Sequence, residues 1–285
     1  MNTRSPPTAE PPPTVRELLA FYLEAGVDCA LLDEPPNRLL DPEIAAPPPP
    51  ATAPSANIRR PAPEPAAIPR APAAAAPAPD VAIASARDAA RTAPTLEALR
   101  ALLETFDGCA LKQTATRLVF ADGNPQARIM FVGEAPGRDE DLEGIPFIGR
   151  SGKLLDRMMA AIGLSRDSAY IANIIPWRPP GNRDPSPQET QICLPFIKRQ
   201  IELVDPDVLV CLGKPSSQAV LELKDGIMRT RGRWHNYDTG TRTIRAVATF
   251  HPAYLLRQPI HKRLAWQDLR AISKALNAAA SAPST

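Results

Sequence analysis

Phe131-Val132-Gly133-Glu134-Ala135-Pro136-Gly137-Arg138-Asp139-Glu140-Asp141 decides how this chain is read. An apolar run, Ile129 to Val132, stops at a Gly/Pro turn and then delivers four carboxylates and an arginine. An α/β protein builds a site in this way, with a buried strand ending and the loop at its carboxyl end carrying the chemistry.

Working outward, the composition divides the chain. Of the 35 prolines, 20 fall in residues 1–80, so the packed part is shorter than the 285 residues. Residues 96–285 hold 25 Lys/Arg against 20 Asp/Glu, whereas residues 1–95 hold 8 against 11. A mildly basic packed part permits a phosphate-bearing partner without demanding one. The start, Met1-Asn2-Thr3-Arg4-Ser5-Pro6-Pro7, has no apolar h-region, and no stretch reaches the roughly 18 apolar residues of a membrane span. The expectation is a soluble, cytoplasmic, nucleoid-associated protein with no membrane contact. Cys29, Cys109, Cys193 and Cys211 lie far apart with no CxxC, which argues against a disulfide framework and excludes a zinc ribbon.

Three segments are expected. Residues 1–34 carry a short amphipathic helix over 14–32, with Thr14 and Glu17 in capping-box spacing. Residues 35–81 are Pro/Ala-rich and read as a disordered linker, because so little apolar surface cannot offset the entropy of ordering. Residues 82–285 form the packed domain. Within it Leu96, Leu99 and Leu103 stand at helical spacing. Strands are expected at 127–132, 169–175, 208–212 and 244–250, with helices at 152–162, 189–203, 216–223 and near the end between them. This βαβ rhythm predicts a three-layer αβα domain with a central four-stranded, mostly parallel sheet. Parallel strands would bring four segments to one crevice: Gly133–Gly137, Asn173, Gly213–Ser217 and His251–Arg257.

Together these segments resemble the motifs of family 4 uracil-DNA glycosylases. The likeness runs from about Thr105 to Ala275 and rests on Gly133-Glu134-Ala135-Pro136-Gly137, Glu140-Asp141, Pro146-Phe147-Ile148-Gly149, Asn173 and His251-Pro252-Ala253-Tyr254-Leu255-Leu256. The resemblance implies a monofunctional glycosylase that flips uracil out of single- or double-stranded DNA and hydrolyses its N-glycosidic bond. Such chemistry needs no metal. It needs fixed dipoles and charges aimed at a sugar turning positive and a base turning negative.

The resemblance also assigns roles. Phe147 would stack on the uracil, and Asn173 would read O4 and N3. Glu134 and Ala135 would line the base pocket, and His251 would stabilise the leaving anion at O2. Glu140 would serve water positioning and cation stabilisation, with Asp141 beside it. Leu255, Leu256 and Arg257 would form the wedge that fills the duplex. Lys214 and Ser216 would hold a backbone phosphate, and Asn182 and Arg183 would lie near the DNA backbone or the abasic sugar.

Family 4 enzymes carry an iron-sulfur cluster on four cysteines, and this chain departs from that pattern. Cys109 and Cys193 match two positions, while Phe106 and Trp177 stand at the other two. With two thiolates of four, no metal and no cluster are expected, and the aromatic replacements should pack near both cysteines. A glycosylase of the same fold with broader damaged-base specificity, or a non-catalytic damaged-DNA binding module, stays open beside the leading reading. A monomer is expected. The front helix could tether a repair or replication partner or fold back on the domain.

Overall fold

The computed structural model describes residues 79–280. The expected helix at 14–32 and all but the end of the Pro/Ala segment lie outside them. The first described element is helix α1, Pro79–Thr92.

The centre of the sheet is β2, Ile129–Gly133, every residue of which is buried. Met130 and Val132 enter one core, and Ile129 and Phe131 the other. A strand covered on both faces reads as a continuous apolar run, and this is why it was visible in the sequence. β2 pairs in parallel with β3, Tyr170–Asn173, on one side and with β4, Val208–Leu212, on the other. β6, Thr243–Thr249, extends the parallel set beyond β4.

The expected four-stranded sheet is corrected to six strands, in the order β1-β3-β2-β4-β6-β5. The added strands are both edges and both antiparallel: β1, Ala121–Gly123, on β3, and β5, Trp234–Asp238, on β6. Neither has the apolar run of a central strand. β1 is three residues long, and β5, Trp-His-Asn-Tyr-Asp, has no fully buried position. Edge strands need not be apolar on both faces, so composition does not reveal them.

Helices cover both faces, and four shorter ones, α3 (Leu111–Thr114), α4 (Arg138–Glu143), α7 (Lys214–Val220) and α8 (Ile227–Thr230), lie between them in the chain. On one face lie α1, α2 (Leu96–Thr105) and α6 (Pro187–Val204), whose Ala86, Leu99, Leu103, Phe196 and Ile197 meet Met130 and Val132. On the other lie α5 (Arg150–Ala160), α9 (Pro252–Arg257) and α10 (Lys262–Ala280), with Leu155, Leu255, Leu269 and Ile272 against Phe131. Burying one such side chain contributes about 1.5–3 kcal/mol, so these two layers dominate the stability. Local signals set the helix ends. The Thr95 side chain accepts from the Ala98 N–H at 3.2 Å at the start of α2. Ser186 and Glu189 cap α6 reciprocally.

The two rims of the parallel strands differ in chemistry. The amino rim carries ion pairs, Arg128 with Asp207 at 2.6 Å and Arg242 with Asp205 at 2.9 Å. At the carboxyl rim Gly133 stands in register with Asn173. None of the helices among the described residues is long and apolar enough to cross a membrane.

Candidate active site

The carboxyl ends of β2, β3, β4 and β6 open on one cavity of about 540 Å³. Glu134, Phe147, Asn173, Lys214 and His251 all line it, so the four segments do converge. A larger cavity of about 650 Å³ lies between α1, α6 and β5, and holds none of these strand-end residues.

Phe147 forms a wall of the site in an unusual backbone state. Its φ is +56°, a left-handed conformation that costs a non-glycine residue on the order of 1–3 kcal/mol. Glycines make room for it. A Cβ at Gly152 would sit 1.6 Å from the Phe147 carbonyl oxygen, and one at Gly133 would sit 2.5 Å from the ring. The ring centroid lies 5.4 Å from that of His251, tilted by 32°.

Asn173 is 4% exposed, and its Oδ1 accepts no hydrogen bond from the described residues. Leaving a buried acceptor unpaired is costly, so such an atom calls for an explanation. Here it belongs to a residue that lines the cavity beside Phe147.

His251 caps α9. Its Nδ1 accepts the Ala253 N–H at 3.1 Å, which leaves the proton of the neutral ring on Nε2. Burial, with Arg257 adding to it, pushes its pKa down to about 4, so the imidazole is neutral at physiological pH. Gly213, φ +89°, allows the close approach of β4 and β6 here, since a Cβ on it would meet the His251 Cβ at 3.0 Å.

The carboxylates separate by their partners. Burial raises the pKa of Glu134, and Asp184 on the same cavity raises it further. Glu140 Oε2 accepts the Gly137 N–H at 3.0 Å, and Oε1 accepts those of Ile148 and Gly149 at 3.1 and 3.0 Å. It thus ties the loop after β2 to the turn bearing Phe147, while still lining the cavity. Asp141 is 3% exposed and accepts from Thr116 N, Thr116 Oγ1 and Arg117 N, away from the cavity. Asp139 is exposed.

Not every expected residue reaches the cavity. Ser216 is fully buried, its Oγ donating to the Val132 carbonyl at 2.6 Å. Leu255 is 1% exposed in the core, whereas Leu256 is 37% exposed and sits with Arg257 beside Asp139 and Arg150. Asn182 and Arg183 line the cavity; Arg183 donates to both Glu189 oxygens, at 2.9 and 2.6 Å, and Asn182 Oδ1 accepts from Arg178. Sequence reasoning passed over Asp184 and Tyr254, which also line it. Tyr254 had a signal: it is one of three aromatic rings in the stretch that follows β6, and Phe250, Tyr254 and His261 lie near-parallel with all three centroid separations between 5.3 and 5.5 Å.

The residues at the expected cluster position do not fit a four-thiolate cage. The Cys109 and Cys193 sulfurs are 3.9 Å apart and buried. Trp177 and Phe196 share their core, and Phe106 packs on it with its ring edge-on to Phe196 at 5.0 Å. Cys211, in β4, is buried in the same core layer, with Ser216 as its side-chain neighbour.

Comparisons with known proteins agree with this geometry. The profile described as the Uracil DNA glycosylase superfamily matches residues 120–270. A type-4 uracil-DNA glycosylase of Archaeoglobus fulgidus is 44% identical over 155 residues, 53% of this chain and 78% of the relative. One from Sulfurisphaera tokodaii is 38% identical over 183 residues, covering 62% and 83%. One from Thermotoga maritima is 39% identical over 164 residues, covering 56% and 84%.

Proposed function

The chain belongs to the uracil-DNA glycosylase superfamily, among its family 4 members, and from that premise we propose that it hydrolyses the N-glycosidic bond of uracil flipped out of DNA. The observation that carries this reading is the unpaired, buried Oδ1 of Asn173 on the cavity shared with Phe147 and neutral His251. Uracil presents an N3–H donor beside an O4 acceptor. An amide offers the complementary acceptor and donor, whereas cytosine, with an acceptor at N3 and a donor at C4, would leave both mismatched.

In the reaction the base stacks on Phe147 with its O4–N3 edge on Asn173. As the bond from the sugar to N1 lengthens, negative charge gathers on O2. The Nε2–H of His251 donates to it. A neutral imidazole serves here because its Nδ1 is already held by Ala253, which keeps Nε2–H turned to the cavity. Donors fixed before the reaction do not reorganise as charge develops.

Glu140 places a carboxylate on the sugar side. Oε2 accepts a single N–H, which leaves a lone pair for the attacking water. Glu134 and Ala135 close the pocket around the base. Asp141 acts at one remove, by holding the Thr116 turn. On the DNA side, Lys214, Asn182, Arg183 and Arg257 are exposed for backbone contact. Leu256 takes the wedge role, since Leu255 is committed to the core.

Single-stranded and paired oligonucleotides carrying uracil, hypoxanthine, xanthine or 5-hydroxymethyluracil, followed by alkaline cleavage of abasic sites, test the proposal. Strand breaks at uracil are expected. Breaks at another base alone would shift the specificity, and breaks at none would overturn the enzymatic reading.

A further inference from the structure

The turn at Pro146–Gly149, which presents Phe147, is gripped by charge from both sides. A carboxylate takes its two amides: the Ile148 and Gly149 N–H groups donate to Glu140 Oε1. A guanidinium takes its two carbonyls: Arg166 Nη1 donates to the Pro146 oxygen at 3.1 Å, and Nη2 donates to that of Phe147. The same guanidinium bonds Asp156 of α5 through Nε at 2.9 Å and Asp122 of β1 through Nη1 at 2.5 Å.

We propose that Arg166 is a positioning residue for base recognition, which holds the left-handed turn at Phe147 so that the ring faces the uracil. This rests on the uracil reading of the cavity. Arg166 is not among the residues lining that cavity, so its effect passes through Phe147.

A residue at φ +56° reverts to an ordinary conformation unless its surroundings over-determine it. Turning the 146–147 carbonyls toward Arg166 is what turns the Phe147 ring the other way, into the space left by Gly133. Only a planar fork of donors reaches four acceptors on three separate segments at once. A lysine ammonium carries charge without that fork. The two aspartates aim the fork in turn. Asp122 gives the edge strand β1 a part in the site, although the strand itself lies outside the cavity.

The test uses the full chain and compares wild type with Arg166→Ala and Arg166→Lys. In excision of uracil from a single-stranded oligonucleotide, Arg166→Ala should lower kcat roughly tenfold to a hundredfold with little change in KM, as expected for a misplaced platform. Its affinity for the same strand without uracil should stay within about twofold of wild type. Added guanidinium at low, non-denaturing concentration should restore part of the rate, where equal sodium chloride does not. Arg166→Lys should restore little. Hydrogen exchange gives a readout independent of activity: the amides of Ile148 and Gly149 should exchange faster in Arg166→Ala, while those of α6 keep their protection. Unchanged exchange at those two amides, or an unchanged kcat in the folded variant, would overturn the positioning role. So would a rate loss that comes with lost affinity for undamaged strand and no rescue, which would mark a general structural defect. If wild type leaves uracil in place while the exchange result holds, the uracil reading fails and the grip on the turn survives.

Discussion

The Nδ1 atom of His251 accepts the backbone N–H of Ala253 at 3.1 Å, and this one bond settles which ring nitrogen can face a substrate. A histidine followed by proline is pressed into service as a helix cap, and the cap fixes its tautomer. His251→Ala removes both the cap and the Nε2–H donor. The chemical step should slow by roughly a hundredfold or more, the usual cost of losing one oxyanion donor. Single-turnover rates at saturating enzyme, set beside DNA affinity, separate the two effects. A rate within threefold of wild type would remove His251 from the mechanism.

Asn173→Asp replaces an amide with a carboxylate at the same buried spot. Uracil excision should fall by at least tenfold, in line with a donor lost from a site built around it, and a protonated aspartic acid should admit slow excision of cytosine. Paired assays on uracil and cytosine oligonucleotides measure the change. Equal uracil rates in the two proteins would show that Asn173 does not read the base.

Stability should depend on pH through His251. Its ordinary pKa lies near 6.5, and burial lowers the folded value to about 4. Between those values the unfolded chain takes up a proton that the folded chain refuses, so stability rises with pH across this window and is lost as pH falls through it. Glu134, with a raised folded value, works with the opposite sign, losing stability as pH rises above its ordinary value. Urea midpoints measured from pH 4 to 7 should climb more steeply for wild type than for His251→Gln. A constant gap between the two proteins would contradict the assignment.

Leu256→Ala trims the exposed apolar side chain on α9. A wedge stabilises an opened duplex but has no gap to fill in a single strand. Excision from paired DNA should therefore drop more than excision from single-stranded DNA, by a ratio of about fivefold or greater, an effect of about 1 kcal/mol in the barrier. A comparison of both substrates at one salt concentration checks this. Equal losses would assign Leu256 to general binding.

The central strands were legible because a strand buried on both faces must be apolar throughout, as β2 and β4 are. β1 and β5 were not, since an edge strand can be as polar as Trp234-His235-Asn236-Tyr237-Asp238. At the site the loops were legible as motifs, but the side-chain directions were not. Ser216 and Lys214 are near neighbours at one helix start, yet one hydroxyl turns inward to Val132 while the lysine stays exposed. Asp141 stands beside Glu140, yet it bonds a turn 24 to 25 residues earlier. Such choices are made by tertiary neighbours, and no local spacing encodes them. Arg166 shows the limit most plainly, because its four acceptors come from β1, α5 and the Phe147 turn.

The contrast between the two rims of the sheet has a practical side. Arg128, Asp205 and Arg242 sit at the amino ends of the parallel strands, and His251 follows the carboxyl end of β6. A five-residue strand spans about 16 Å at roughly 3.3 Å per residue. A fluorophore or affinity handle attached on the amino rim would thus ride at least a strand's length from the cavity that His251 lines, clear of the face proposed to meet DNA.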